Sequence, residues 1–472
     1  MKQQKNSVQN ATELLASLPK LRANEDWKAS IREARKQRID TIIVLDDDPT
    51  GTQTVYDIPV LTDWAAKVIS EELKASTPIF YILTNSRSLP QNQADDLALT
   101  IGKNIQAANQ AFDRKIMVIS RGDSTLRGHY PSEVKALKVG LSMENAVDVL
   151  IPAFFEGGRY TIHDIHYVRQ NEQMIPAAQT PYAKDGAFGY AHSNLKDWVE
   201  EKTGGKVKAE SAVSFSIEEL RTKEVDDLVQ KLNGSSSAKC LIINAADYID
   251  LEVFALILLQ TTTPFVCRTA ASFVAALAAL PEKELLQKAD LIRDNSKNGG
   301  LIVVGSHVPK TTRQLEHLRQ AVDIKELVVD VKELIERFDQ RDELIARYRQ
   351  SVDALIVSGK DAVLATSREV LKVDEAEDNL SIGAKISAVM SGIVKQLTHR
   401  PKYILAKGGI TSSDTATVSL GVKRAMIMGQ VLPGIPVWRL GEESKFPGLS
   451  YIIFPGNVGA DDAIVRVVKK LA

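Results

Sequence analysis

The chain has 472 residues, a formal net charge of -1 and a pI near 6.7, with 44% hydrophobic and 25% charged residues. That is enough apolar material for two cores, and the balanced charge offers no broad basic field to gather nucleic acid or an anionic membrane. Its two cysteines, Cys240 and Cys267, supply neither a disulfide framework nor a paired zinc motif. Met1–Asn10 is polar, without an apolar signal region, and the most apolar stretch, around Phe254–Gln260, is interrupted by Asp250, Glu252 and the run 261–264. A cytoplasmic protein with reduced thiols is expected.

Residues 1–38 carry apolar positions at helical spacing (Leu14, Leu15, Leu18, then Trp27, Ile31 and Ala34) and read as an N-terminal helical extension. The β-branched run 39–45 ends in three aspartates and suggests a buried parallel strand. Short apolar runs recur at 79–83, 116–119, 147–152 and 241–244, with helical patterns between several of them. Strands alternating with helices predict a parallel sheet whose ligands sit beyond the carboxyl ends of the strands. Between Glu156 and Tyr190 the pattern changes to Gly, Arg, Thr, His and Pro, as in an inserted hairpin and long loop. A charged helix over 282–293 joins this half to a second series of strands at 301–304, 327–331, 362–365, 403–406, 437–439 and 451–454. The expectation is an α/β protein of two domains, each with a mainly parallel sheet flanked by helices. The first covers 39–290 and the second 291–472.

Three polar clusters follow strands of the first half. Asp46-Asp47-Asp48-Pro49-Thr50-Gly51-Thr52 places carboxylates and hydroxyls on a sharp turn, where an acid can accept a hydroxyl hydrogen bond or a proton. Thr84-Asn85-Ser86-Arg87-Ser88 offers an arginine fork suited to a carboxylate. Arg121-Gly122-Asp123-Ser124-Thr125-Leu126-Arg127-Gly128 sets two arginines, an acid and two hydroxyls between glycines, which admit a close backbone approach. Both signs of charge together suit a polyhydroxy carboxylate, its acid end on arginine and its hydroxyls on Asp, Ser and Thr.

In the second half, three strand-to-helix turns are rich in small residues: Gly305-Ser306, Lys407-Gly408-Gly409-Ile410-Thr411, and Pro455-Gly456-Asn457-Val458-Gly459. Free N–H groups at such turns suit phosphate, so a nucleotide crevice is expected. Neither a G-x-x-x-x-G-K-[ST] loop nor a strand-linked G-x-G-x-x-G occurs, which argues against a P-loop kinase and a dinucleotide dehydrogenase. His163 and His166 are three apart in a strand-like stretch and do not share a face, so they read as hydrogen-bonding hairpin residues rather than metal ligands.

Taken in order, these motifs resemble the four-carbon acid sugar kinase family. Asp47-Asp48-Pro49-Thr50-Gly51 resembles its D-D-x-T-G, Ser86-Arg87 its S-R, and Asp123 through Gly128 its D-S-T-L-R-G. Gly158-Arg159 with His166, and Thr180 through Asp185, are similar to its G-R hairpin and T-P-F-x-x-D loop. Gly305-Ser306 with Thr311 and Gln314, Gly408-Gly409-x-Thr411-Ser412, and Gly456-Asn457-x-Gly459 resemble its later glycine motifs. Ile410 stands where many members have Glu, and Arg121 where Lys is frequent.

The resemblance implies phosphorylation of an acid such as threonate, erythronate or 3-oxo-tetronate by ATP with Mg²⁺. It assigns substrate contacts to Asp47, Arg87, Arg121, Gly122, Asp123, Ser124 and Arg127. Nucleotide contacts fall at Ser306, Lys407, Gly408, Gly409, Ile410, Thr411 and Gly456. Asp47 and Asp123 are alternative catalytic bases, and Lys407 and Arg127 alternative groups to neutralise developing charge. The metal ligands are not assigned. The expected partners are the sugar acid and ATP, with a homo-oligomer left open and neither nucleic acid nor membrane. Two rival readings stand beside the kinase: an ATP-dependent ligase or other phosphotransferase on a related acid, and a non-catalytic sugar-acid sensor.

Overall fold

The computed structural model describes residues 7–22, 26–293, 296–305, 308–368, 376–456 and 458–472. Two compact units emerge, Met1–Val55 with Asp63–Glu282, and Tyr56–Thr62 with Lys283–Ala472.

The first unit is built on a parallel sheet. Its strands run in the order Val213–Phe215, Cys240–Ile243, Val147–Ile151, Phe265–Thr269, Ile116–Arg121, Thr41–Asp46 and Ile79–Leu83. Every residue of Thr41–Asp46 is buried, as the apolar run from Ile42 to Leu45 requires of a strand covered on both faces. The next strand of this unit, Ile79–Leu83, lies on one side of it, and the one after, Ile116–Arg121, on the other. That reversal is the topological switch where open α/β sheets leave a crevice. The loops leaving these strands carry all three polar clusters. Both thiols are buried and free.

The N-terminal extension forms the helices Ala11–Ala16 and Trp27–Arg38, and also a strand that its composition did not announce. Gln9–Asn10 pairs with Gln173–Pro176 in a small antiparallel sheet continued by Ile165–Gln170 and Arg159–Ile162. The expected hairpin is therefore present, with the extension as its edge. Ala11 and Leu14 pack with Ile162, Ile165, Tyr167 and Met174. Arg32 and Arg35 donate to the last carbonyls of the helix Ala271–Ala278 and to that of Ala279, which complements a helix C-terminus.

The second unit has a mixed sheet. Its strands run Ile58–Leu61, Arg424–Leu432, Ile435–Leu440, Ser450–Phe454, Ile404–Lys407, Leu301–Val304, Ala362–Thr366 and Lys325–Val329. The pairings from Ser450–Phe454 onward are parallel, and the earlier ones antiparallel. Leu301–Val304 has its successors on one side and Ile404–Lys407 on the other, so this sheet also has a switch point.

The charged helix expected over 282–293 is only Lys288–Leu291. Leu286 instead donates its N–H to the Gln430 carbonyl (2.8 Å) and is buried in the second unit's core. A strand partner outweighed local helix propensity there.

Candidate functional site

In the first unit, sheet register puts Asp46 level with Leu83 and Arg121, and Arg121 level with Thr269. The residues just beyond these positions converge. Arg121, 4% exposed, donates to Asp46 Oδ1 at 2.9 Å and lies 3.7 Å from Asp47 Oδ1. Burial pushes the Asp46 carboxyl up to about 7; Arg121 opposes the rise, and Asp47 and Asp48 add to it. A Cβ on Gly51 would collide with the Asp46 and Arg121 side chains, so this turn packs directly on their ion pair.

Arg87 reaches three acids: Asp48 at 2.6 Å, Asp123 at 3.2 Å and Asp47 at 3.7 Å. Asp123 also accepts from Arg127 Nε at 2.8 Å and from the Thr125 hydroxyl. Burial alone would raise the Asp123 pKa, but Arg127 and Arg87 outweigh it and hold the carboxyl well below the usual range. Asp48 is lowered in the same way, its burial outweighed chiefly by Arg87 and Thr50. Asp47 differs. Its Oδ1 is buried without a hydrogen bond, while Arg268 approaches its Oδ2 at 3.4 Å.

The loop 122–128 is fixed from below. The Gly122 N–H donates to the Thr269 carbonyl at 2.8 Å, and the Tyr190 hydroxyl donates to the Thr125 carbonyl at the same distance. His166 bonds through Nε2 to the Ser124 carbonyl (2.7 Å) and through Nδ1 to the Thr161 hydroxyl (3.1 Å). Burial pushes His166 down to about 4. It is thus a neutral hairpin residue, as its spacing suggested. Arg127 also reaches Asp185 at 3.5 Å and stacks on the Tyr182 ring, which Arg159 flanks as well. The Thr180–Asp185 loop therefore closes one side of the cluster.

Arg268 and Glu133 lack any motif. Arg268 donates to the Ser120 hydroxyl at 2.8 Å and pairs with Glu133 at 3.3 Å; Glu133 in turn accepts from the Ser86 hydroxyl. The one sequence signal was a lone charge, Arg268, in the otherwise uncharged run Phe265–Thr269.

In the second unit, Lys407 ends its strand fully buried. Its Nζ donates to the carbonyls of Pro455 (2.6 Å) and Gly456 (3.2 Å) and sits 4.1 Å from the centre of the Phe454 ring. Gly408 takes φ 110°, a conformation that favours glycine, and Gly409–Asp414 turns at once into helix. A Cβ on Gly305 would lie 2.4 Å from the Thr411 hydroxyl, so the first and second glycine turns touch. Gln314 donates to the carbonyls of Val458 and Ala460, tying the third turn to the helix that follows the first. Ile410 is 58% exposed. Ser306 and Asn457 lie outside the described residues.

Comparison with known proteins agrees with this division. A model of a sugar-binding N-terminal domain matches residues 42–277, and one of a nucleotide-binding C-terminal domain matches 301–464. No curated protein matches the sequence. Among solved structures, the Haemophilus influenzae protein HI1011, of the DUF1537 family, is 16% identical with a TM-score of 0.61, covering 91% of this chain and 100% of its own. A Salmonella typhimurium LT2 protein, provisionally described as a tRNA synthase, is 18% identical with a TM-score of 0.64, covering 90% and 98%. At these identities the likeness is one of fold. Together with the two domain models, it places this chain in the DUF1537, or four-carbon acid sugar kinase, family, with a sugar-binding N-terminal and a nucleotide-binding C-terminal domain.

Proposed function

We propose that the protein is an ATP-dependent kinase that phosphorylates a hydroxyl of a small sugar acid of the threonate, erythronate or 3-oxo-tetronate class. The observation that carries this reading is Asp47. It is a buried carboxylate with one oxygen free of hydrogen bonds, ringed by Arg87, Arg121 and Arg268, at the switch point of the sugar-binding unit. That oxygen suits a substrate hydroxyl and receives its proton during transfer. Asp123, whose oxygens are already taken by Arg87, Arg127 and Thr125, is the less available acceptor and so orients a second hydroxyl. Arg87 and Arg127 keep 17% and 23% of their side chains exposed, against 4% for Arg121 and 7% for Arg268. The acid end of the substrate is therefore assigned to the first two. Arg121 supports the turn from behind.

The nucleotide is assigned to the three glycine turns of the second unit. Lys407, whose Nζ is spent on two carbonyls, shapes the third turn rather than reaching phosphate. Among the described residues no group of three or more His, Cys, Asp or Glu is placed to hold a metal. Mg²⁺ would thus come with the phosphates of ATP, whose oxygens bind it without a protein cage.

The test is ADP release from ATP and Mg²⁺ with each of the three acids in turn. ADP formed with one acid and no second substrate supports the kinase. Formation of AMP, or a need for a second substrate, favours the ligase reading. Acid binding without turnover on the whole panel contradicts the proposal.

A further inference from the structure

Gly122 and Gly128 face an occupant within the protein. A Cβ on Gly122 would stand 2.2 Å from Cζ and Nη2 of Arg268, and one on Gly128 would stand 2.7 Å from Nη2. Gly128 has φ 123° and needs glycine for that reason alone; Gly122 is outside the left-handed region, so only the space matters. The guanidinium filling that space is pinned. Its Nη1 is held by Ser120 and Glu133, and its Nη2 faces Asp47 Oδ2.

We infer that Arg268 is a positioning residue for Asp47, and that Gly122 is glycine in order to seat Arg268 rather than to admit a ligand. By taking Oδ2, Arg268 turns the unbonded Oδ1 away from itself. The roles rest on the kinase reading; the packing between Gly122 and Arg268 does not. Arg268 can leave an alanine at 122 only by releasing Ser120, Glu133 or Asp47.

The test is a double-mutant cycle on the full chain with Gly122→Ala, Arg268→Met and the two combined, plus Arg268→Lys. The readouts are kcat and KM for the acid that turns over best, and the thermal unfolding midpoint. Gly122→Ala and Arg268→Met should each lower kcat by about 10²-fold, the scale of a misplacement of about 1 Å, while KM moves less than about threefold. Methionine vacates the guanidinium space, so the double variant should be no worse than Arg268→Met alone in kcat or midpoint. Arg268→Lys, which keeps the charge, should recover part of kcat. Independent costs that multiply, or a rise in KM from Gly122→Ala in both backgrounds, would overturn the inference. Should Arg268→Met not fold, the same cycle run with Arg268→Lys reads the same coupling. A wild-type protein without turnover would sink the kinase reading, whereas the midpoints would still report whether Gly122 and Arg268 are coupled.

Discussion

Asp47 and Asp123 look alike in the sequence, each an acid just past a strand end, and only their neighbours separate them. Arg127, Arg87 and Thr125 consume Asp123, while Asp47 keeps a buried oxygen unbonded. Asp47→Asn should therefore retain acid binding by calorimetry and lose about 10²–10⁴ in kcat. Asp123→Asn should act mainly on KM, because it frees Arg87 and Arg127 to reorient. Near-normal kcat in Asp47→Asn, with turnover abolished in Asp123→Asn, would reverse the two roles. The clustering of acids and arginines was legible because motif and strand end coincide. Arg268 and Glu133 were not, since a lone charge in a strand or helix is too weak a signal to read until the fold brings it beneath Asp47.

At the scale of elements, two short continuous apolar runs were read closely: Ile79–Leu83 and Leu301–Val304 match the expected bounds. Gln9–Asn10, Val213–Phe215, Phe265–Thr269 and two strands of the second unit escaped. Ile58–Leu61 contains Pro59, and Arg424–Leu432 contains Gly429 and two register shifts; both residues weaken a strand signal.

The turns of the second unit yield two predictions. Burial, with repulsion from Lys310, brings Lys407 down to about 7. A free lysine titrates near 10.4, so between those values the unfolded chain binds more protons than the folded one. The contribution of Lys407 to stability then rises as pH climbs from about 7 toward 10. The wild type should gain on Lys407→Met over that range in unfolding midpoint, and a flat difference would contradict the assignment. Gly305→Ala should displace the Thr411 hydroxyl and weaken ATP binding by calorimetry about tenfold, the equivalent of about 1.4 kcal/mol, with acid binding unchanged. Equal loss of both ligands would indicate a folding defect instead.

Over the whole molecule, order along the chain and membership of a unit do not coincide. Tyr56–Thr62 belongs to the second unit although it lies between two strands of the first. No apolar pattern announces that excursion, because both units bury their strands alike. The near-zero net charge bears on the proposal in a different way: it leaves any recognition of an anion to a few local arginines, and Arg87, Arg121, Arg127 and Arg268 lie in one cluster of ion pairs with Asp46, Asp47, Asp48 and Asp123. Among the described residues no helix is long and apolar enough to cross a membrane.

The central claim is transfer of a phosphoryl group to a hydroxyl, and phosphorus NMR of the products tests it most directly. From ATP, Mg²⁺ and one sugar acid alone, the account predicts a phosphomonoester resonance on the acid, growing in step with ADP. An acyl phosphate, AMP with pyrophosphate, or ADP accompanied only by inorganic phosphate would contradict it.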